Sequence, residues 1–167
     1  VDTIYHAAAY KHVPLLEKNI TEGIKSNIFG TQTLVKKSIK YKVKNFILVS
    51  SDKAVRPTNY MGATKRVSEM ICLSNHRAQD ITKFCIVRFG NVIGSSGSVI
   101  PLFQEQINKG GPITVTHKKI KRYFMTISEA AELVIQSGAI NNGGDIFILD
   151  MGDQINIFSM AERTSAL

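Results

Sequence analysis

Short apolar runs alternate along this chain with longer stretches whose apolar residues recur at helical spacing. The first segment, Thr3-Ile4-Tyr5-His6-Ala7-Ala8-Ala9, reads as a strand, and a loop is expected from Tyr10 to Asn19. From about Thr21 to Lys40, Ile24, Ile28, Thr31, Leu34 and Val35 form an apolar stripe that predicts a helix. Asn45 to Ser51 carries the run Phe46-Ile47-Leu48-Val49, apolar and β-branched as buried parallel strands tend to be. Pro57 marks a loop, after which Thr58 or Asn59 can cap a helix reaching about His76. Lys83 to Phe89 is the next strand, and Gly94-Ser95-Ser96-Gly97-Ser98 is a loop. Beyond it the pattern predicts a helix over Val99 to Asn108, short strands near Ile113 to Thr116 and Tyr123 to Thr126, a helix from Ser128 and a strand over Asp145 to Leu149. Strand and helix alternate throughout, which predicts βαβ units and a largely parallel sheet in an α/β fold.

Both ends read as cut. The chain begins inside a strand with no preceding turn, and it ends in a helix stub, Ala161 to Leu167. The expectation is a fragment or a truncated gene.

Composition narrows the classes. With 167 residues, 44% hydrophobic and 20% charged, the chain suits one compact soluble domain. No apolar run is long enough to span a bilayer, and no signal peptide is visible. Cys72 and Cys85 lack the spacing of a disulfide framework or a zinc site, so two reduced, semi-buried thiols and no metal are expected. The net charge of +8 raises the question of nucleic acid. However, its lysines (Lys36, Lys37, Lys40, Lys42, Lys44 and Lys118 to Lys121) sit in no nucleic-acid-binding signature. Solvated helix faces and loops account for them, and an acidic small-molecule substrate or a nearby anionic membrane would also tolerate the charge.

The stretch from Ser50 to Arg66 carries the most chemistry: Ser-Ser-Asp-Lys-Ala-Val-Arg-Pro-Thr-Asn-Tyr-Met-Gly-Ala-Thr-Lys-Arg. Its polar residues follow a buried strand, at the carboxyl end where open α/β sheets place ligands. Met61 and Lys65, four residues apart, share a helix face. Spacing alone also admits helix caps and a solvated lysine.

This stretch resembles the signature of the polysaccharide-biosynthesis (CapD-type) nucleotide-sugar 4,6-dehydratases, extended short-chain dehydrogenase/reductases acting on UDP-N-acetylglucosamine. The resemblance continues through His6 to Pro14, Arg88 to Val92, Gly94 to Phe103 and Arg122 to Thr126, and so covers nearly the whole chain. It implies a Rossmann-like, doubly wound parallel sheet whose first βαβ unit would precede Val1. Residues 1–92 would be the remainder of the dinucleotide-binding core with the active site, and 93–167 largely a substrate-binding part.

The family's reaction is redox-neutral: hydride leaves C4 for NAD or NADP, water is lost across C5 and C6, and hydride returns to C6. It needs bases at O4 and C5 and an acid at the C6 hydroxyl. The resemblance makes Asp52 the acid for the departing hydroxyl, Lys53 the base at C5, Ser51 a hydrogen-bond partner of O4 and Lys65 the holder of the nicotinamide ribose. Ala7, Ala8 and Ala9 would admit the adenosine half of the cofactor, and Asn27 would brace the active-site strand. Ser50, Phe89, Gly90, Asn91 and Val92 complete the implied cofactor contacts. Lys11, Asn91, Ser98, Val99 and Arg122 are the implied contacts to the UDP-sugar, with Arg122 clamping the pyrophosphate as a bidentate guanidinium. The intact protein would be a homo-oligomer at the cytoplasmic face of the bacterial inner membrane, with no nucleic-acid partner.

One position departs from the wider superfamily, which places a tyrosine base four residues before the lysine. Met61 stands there, and a thioether cannot take a proton. Methionine at this position is a mark of the family's membrane-associated branch. Tyr60 lies about 100° round the helix and is expected not to be the O4 base; a water held by Ser51 and Lys65, or Asp52 itself, are the alternatives. No G-x-G-x-x-G opens a helix, and Gly94 to Gly97 follows the wrong strand to cradle a nucleotide. Two rival readings remain: a nucleotide-sugar 4-epimerase, which needs no C5 base, and a non-catalytic remnant.

Overall fold

The structure is a computed structural model that describes residues 1–95 and 98–165. Ser96 and Gly97 of the glycine-serine loop, and Ala166 and Leu167 of the terminal segment, lie outside the described residues. In chain order the elements are β1 (Thr3–His6), α1 (Val13–Lys18), α2 (Ile20–Gly23), a π-helical turn (Ile24–Phe29), α3 (Gly30–Lys40), β2 (Asn45–Val49) and a 3₁₀ turn (Asp52–Ala54). They continue with α4 (Tyr60–Arg77), β3 (Lys83–Arg88), β4 (Asn91–Val92), α5 (Val99–Asn108), β5 (Lys121–Met125), α6 (Ile127–Ala139), β6 (Ile146–Ile148), β7 (Gln154–Asn156) and α7 (Ile157–Ser165). Among the described residues no helix is long and apolar enough to cross a membrane.

Two compact units emerge: Val1–Phe89 with Glu132–Leu149, and Gly90–Ala131 with Asp150–Leu167. The second half of the chain therefore does not form one contiguous part. Residues 132–149 return to the first unit because β6 completes its sheet.

The first unit is built on a four-stranded parallel sheet in the order β1-β2-β3-β6. The apolar runs of β2 and β3 lie at its centre, with Phe46, Ile47, Leu48, Phe84, Cys85, Ile86 and Val87 all fully buried. That is the burial expected of strands covered on both faces. Val35 of α3 and Cys72 of α4 pack with Phe46, Leu48, Phe84 and Ile86 into one core cluster. Both cysteines are free and fully buried rather than semi-buried, and burial raises both thiols to about 12.

The second unit holds a three-stranded sheet, β4-β5-β7, parallel between β4 and β5 and antiparallel between β5 and β7. Its core gathers Phe103, Phe124, Ile157 and Ala161.

Several expectations change. Tyr10 to Asn19 is not all loop, because Pro14 occupies the first turn of α1, where its missing N–H costs nothing. The Thr21–Lys40 helix contains a π turn, and its buried face is Gly23, Asn27, Thr31, Val35 and Ser38, with Leu34 exposed. No strand forms over 113–116; there the Gln106 side chain binds Thr114 instead, accepting from its N–H at 3.0 Å and donating to its Oγ1 at 2.7 Å. The terminal helix, α7, begins at Ile157 rather than near Ala161 and follows β7 directly.

Candidate active site

The site begins where β2 ends. Val49 is the last strand residue, and Ser50, Ser51 and the 3₁₀ turn carry the chain onward. Ser51 starts this turn by accepting from the Lys53 N–H at 3.2 Å, while its own hydroxyl donates to Asp52 Oδ1 at 2.9 Å. Lys53 Nζ donates to the same Oδ1 at 3.0 Å. The Asp52 N–H is fixed by the Phe89 carbonyl, 3.1 Å away at the end of β3. The turn therefore presents a paired carboxylate and ammonium, 52% and 36% exposed, at the carboxyl edge of the sheet. Both are accessible to a ligand.

Helix α4 supplies the second wall. Asn59 caps it by accepting from the Gly62 N–H at 2.8 Å, one of the donors a helix start leaves without an intrahelical partner. Met61 and Lys65 are both buried on its inner face, whereas Tyr60 is exposed and gives its backbone N–H to Glu17. The Lys65 ammonium donates to the Val49 carbonyl at 2.6 Å. Burial lowers its pKa to about 8, against the opposing pull of Glu69 and Cys72. An ammonium has three donors, so this cation holds the strand end and has hydrogens to spare.

Asn27 lies on the π turn, a geometry often found at functional positions. Its side chain accepts from the Tyr10 N–H (2.8 Å) and donates to the Tyr10 carbonyl (3.0 Å) and Thr64 Oγ1 (3.0 Å). Its own carbonyl accepts from Thr31 and Ser68 hydroxyls at 2.6 and 2.8 Å. Asn27 thus joins the segment after β1 to α4, so its bracing reaches Tyr10 rather than the active-site strand itself. Because the Thr31 hydrogen goes to Asn27, Thr31 Oγ1 accepts from His6 Nε2, 2.9 Å away. His6 is neutral there: burial, then the Lys65 charge, lower it to about 4.

Ala7 and Ala8 are exposed immediately past β1, and Ala9 is half-buried. Lys11 is exposed and lines a cavity of about 280 Å³ with Tyr10, His12, Leu15, Leu16, Asn19 and Glu22. Gly90, Asn91, Val92, Ser98, Val99 and Arg122 belong to the second unit. Within it Asn91 donates to the Tyr123 carbonyl at 3.2 Å, and Arg122 is exposed, its guanidinium donating to the neighbouring Lys121 carbonyl at 3.2 Å. Ser51, Asp52, Lys53, Met61 and Lys65 are therefore assembled by one turn and one helix of the first unit.

The feature that the sequence reading passed over is Glu69. It is fully buried and accepts from Ser50 Oγ (2.7 Å), Arg66 (3.0 Å) and, through two bonds, Arg88 (2.8 and 2.6 Å). Burial alone would raise its pKa, but the bonds from Arg88, Ser50 and Arg66 together hold it below the usual carboxylate value. Its one signal in the sequence is position, a single helical turn beyond Lys65.

A family described as "Polysaccharide biosynthesis protein" matches residues 1–167. The capsular polysaccharide biosynthesis protein CapD of Staphylococcus aureus is 53% identical over 160 residues, and the probable polysaccharide biosynthesis protein EpsC of Bacillus subtilis is 55% identical over 160. Each match takes in 96% of this chain but 27% of the relative, so the chain spans about a quarter of their length. A UDP-glucose 4-epimerase of Rickettsia canadensis is 38% identical over 89% of this chain and 44% of its own length. Among solved structures, Pen from Bacillus thuringiensis superposes with a TM-score of 0.93 at 43% identity, covering 98% of this chain and 51% of that one. DesIV of Streptomyces venezuelae, a dTDP-glucose 4,6-dehydratase with NAD bound, superposes with a TM-score of 0.90 at 21% identity, over 98% of this chain and 56% of that one. These matches show the α/β, Rossmann-like fold.

Proposed function

The chain belongs to the polysaccharide biosynthesis protein family, and on that premise we propose that it carries the proton-transfer machinery of an NAD(P)-dependent nucleotide-sugar 4,6-dehydratase. The substrate is UDP-N-acetylglucosamine, and the product serves capsule, O-antigen or another surface polysaccharide. The observation that carries this reading is the Asp52–Lys53 pair, joined at 3.0 Å at the carboxyl end of β2, beside the helix that bears Lys65.

The residues present fit the nicotinamide half of the cofactor. Lys65 is a buried cation with donors left over for the nicotinamide ribose hydroxyls, and for the adenosine half exposed Ala7 and Ala8 leave the backbone past β1 open to close approach. When bound, the cofactor would supply the hydride chemistry, acceptance from C4 and return at C6. Proton movement falls to the side chains.

With C4 a ketone, the C5 proton is acidic. Lys53 must then be neutral to take it, and Asp52 must be protonated to give a proton to the departing C6 hydroxyl. The free pair holds the opposite, charged states. A single proton passing from Lys53 to Asp52 makes both required states at once, and covering the pair with the sugar favours the uncharged form. After water leaves, Lys53 holds the C5 proton and Asp52 is a carboxylate again, so elimination restores the ion pair. Lys53 then returns its proton to C5 as hydride reaches C6. Ser51 bonds O4, and the O4 proton goes to a water held by Ser51 and Lys65, which passes it back to Lys53 once that amine has given its proton to C5 and is neutral. Where Asp52 takes the O4 proton instead, that proton and not one from Lys53 serves the departing hydroxyl, and Lys53 enters neutral, its own proton lost to solvent. Exposed Tyr60 and thioether Met61 have no part in that transfer. Arg122 fits the UDP pyrophosphate as an exposed guanidinium.

The test is to replace Lys53 by Met and Asp52 by Asn. Each variant is expected to bind UDP-N-acetylglucosamine within a few-fold of the parent and to lose dehydrated product. Turnover by Lys53→Met at the parent rate would refute the assignment. The identity with the Rickettsia epimerase supports a second reading, 4-epimerisation. On that reading Lys53→Met would leave epimer formation intact.

A further inference from the structure

Glu69 is the largest charged side chain in the first unit with no exposed surface, and the proposed chemistry does not use it. Its four bonds join three elements that end at the site. Ser50 lies between the Val49 carbonyl, which holds Lys65, and the Ser51–Lys53 turn. Arg88, which clamps Glu69 through two parallel bonds, is the residue before Phe89, whose carbonyl holds the Asp52 N–H. Glu69 itself lies four residues after Lys65, on the same face of α4. We propose that Glu69 is a positioning residue: its carboxylate ties the ends of β2 and β3 to α4, and so fixes both the Asp52–Lys53 turn and the charge that Lys65 meets.

A buried carboxylate is retained only with partners, and here, besides Arg66, they are a strand-end hydroxyl and a strand-end guanidinium, so losing the carboxylate leaves the turn tied to β3 by backbone bonds alone. A negative charge one helical turn away also favours the protonated form of Lys65, opposing burial. Other groups close enough to interact with Lys65 are His6 from β1, which is neutral, and Cys72 on α4, which is a protonated thiol; the Asp52–Lys53 pair sits on the turn that packs against α4 at Gly62. Among these, only Glu69 is a buried anion.

The inference rests on the proposed reaction only in treating Asp52 and Lys53 as the reacting groups, and its test needs no turnover. Amide hydrogen exchange and the titration of isotope-labelled Lys65 are followed by NMR in the parent protein, Glu69→Gln, Glu69→Asp and Ser50→Ala. In Glu69→Gln, exchange at the Asp52 amide is expected to quicken at least about tenfold while the β2 amides of Ile47 and Leu48 keep their protection. The Lys65 midpoint is expected to fall by roughly one pH unit from its value near 8. Ser50→Ala should quicken exchange at Asp52 and leave Lys65 unmoved, because the charge stays.

If Glu69→Gln does not fold, Glu69→Asp decides. One methylene shorter, it keeps the charge but cannot span both strand ends, so Asp52 exchange should quicken with Lys65 titrating as in the parent. Unchanged Asp52 exchange in the folded Glu69 variants, or an unmoved Lys65 in Glu69→Gln, overturns the proposal. A protein that fails to dehydrate UDP-N-acetylglucosamine yet shows these shifts would refute the function and leave the role of Glu69 standing.

Discussion

Gly62 lies so close to the Lys53 carbonyl that a Cβ added to it would overlap the carbonyl oxygen. The reason for glycine here is proximity rather than backbone angle, since Gly62 is in the first turn of α4 and has no positive φ. The contact seats the Asp52–Lys53 turn directly on the helix that carries Lys65. A methyl group at position 62 must push turn and helix apart. Gly62→Ala is expected to destabilise the fold by about 1–3 kcal/mol, the usual range for overpacking, as measured by urea unfolding. It should also lower turnover beyond what the fraction unfolded explains.

Asn27 should behave as a structural brace. Asn27→Ala removes the amide that bonds the Tyr10 backbone and leaves buried Thr64 without that donor. A loss of about 1–3 kcal/mol is expected, the cost of an unsatisfied buried polar group. Urea unfolding measures it, and proteolysis near Tyr10 should quicken.

Acid should weaken the fold through His6. Its folded pKa of about 4 lies below the ordinary 6.5, so the unfolded chain binds its proton first as pH falls. The stability His6 contributes is therefore complete above pH 6.5 and is lost as pH falls toward 4. Urea midpoints measured across that window should fall with pH, and His6→Gln should flatten the slope.

Both thiols should be inert in the native state. Cys72 and Cys85 have no exposed surface, and burial raises each to about 12, which leaves almost no thiolate at neutral pH. A thiol-reactive dye should label neither residue in buffer and both in denaturant.

What could be read from the sequence depended on whether a residue's environment is local. The run Phe46-Ile47-Leu48-Val49 and the Asn59 cap announce β2 and α4 because one needs only consecutive apolar residues and the other a side chain three residues from its partner N–H. The buried face of the Thr21–Lys40 region was legible only in part, at Thr31 and Val35, because the rest of it is small and polar. Gly23, Asn27 and Thr31 give no hydrophobic signal, whereas Leu34, which does, is exposed. The loop expected over Tyr10 to Asn19 holds α1 because a proline is at home in a helix's first turn, where Pro14 stands. Glu69 was invisible for a different reason: Ser50 and Arg88 are each nineteen residues away in sequence, and an acidic residue in a helix ordinarily faces water. Ser51, Asp52, Lys53, Met61 and Lys65 were legible as one stretch because a turn and the helix after it carry them, whereas the return of residues 132–149 to the first sheet is a long-range pairing that local pattern does not show.

The central claim is that the Asp52–Lys53 pair removes water across C5 and C6. Mass spectrometry of UDP-N-acetylglucosamine treated with the protein and NAD(P) in deuterated water tests it most directly. The expected product is lighter by one water and carries one solvent deuterium, located at C5, with both changes absent in Lys53→Met. A product of unchanged mass and altered C4 configuration would contradict it.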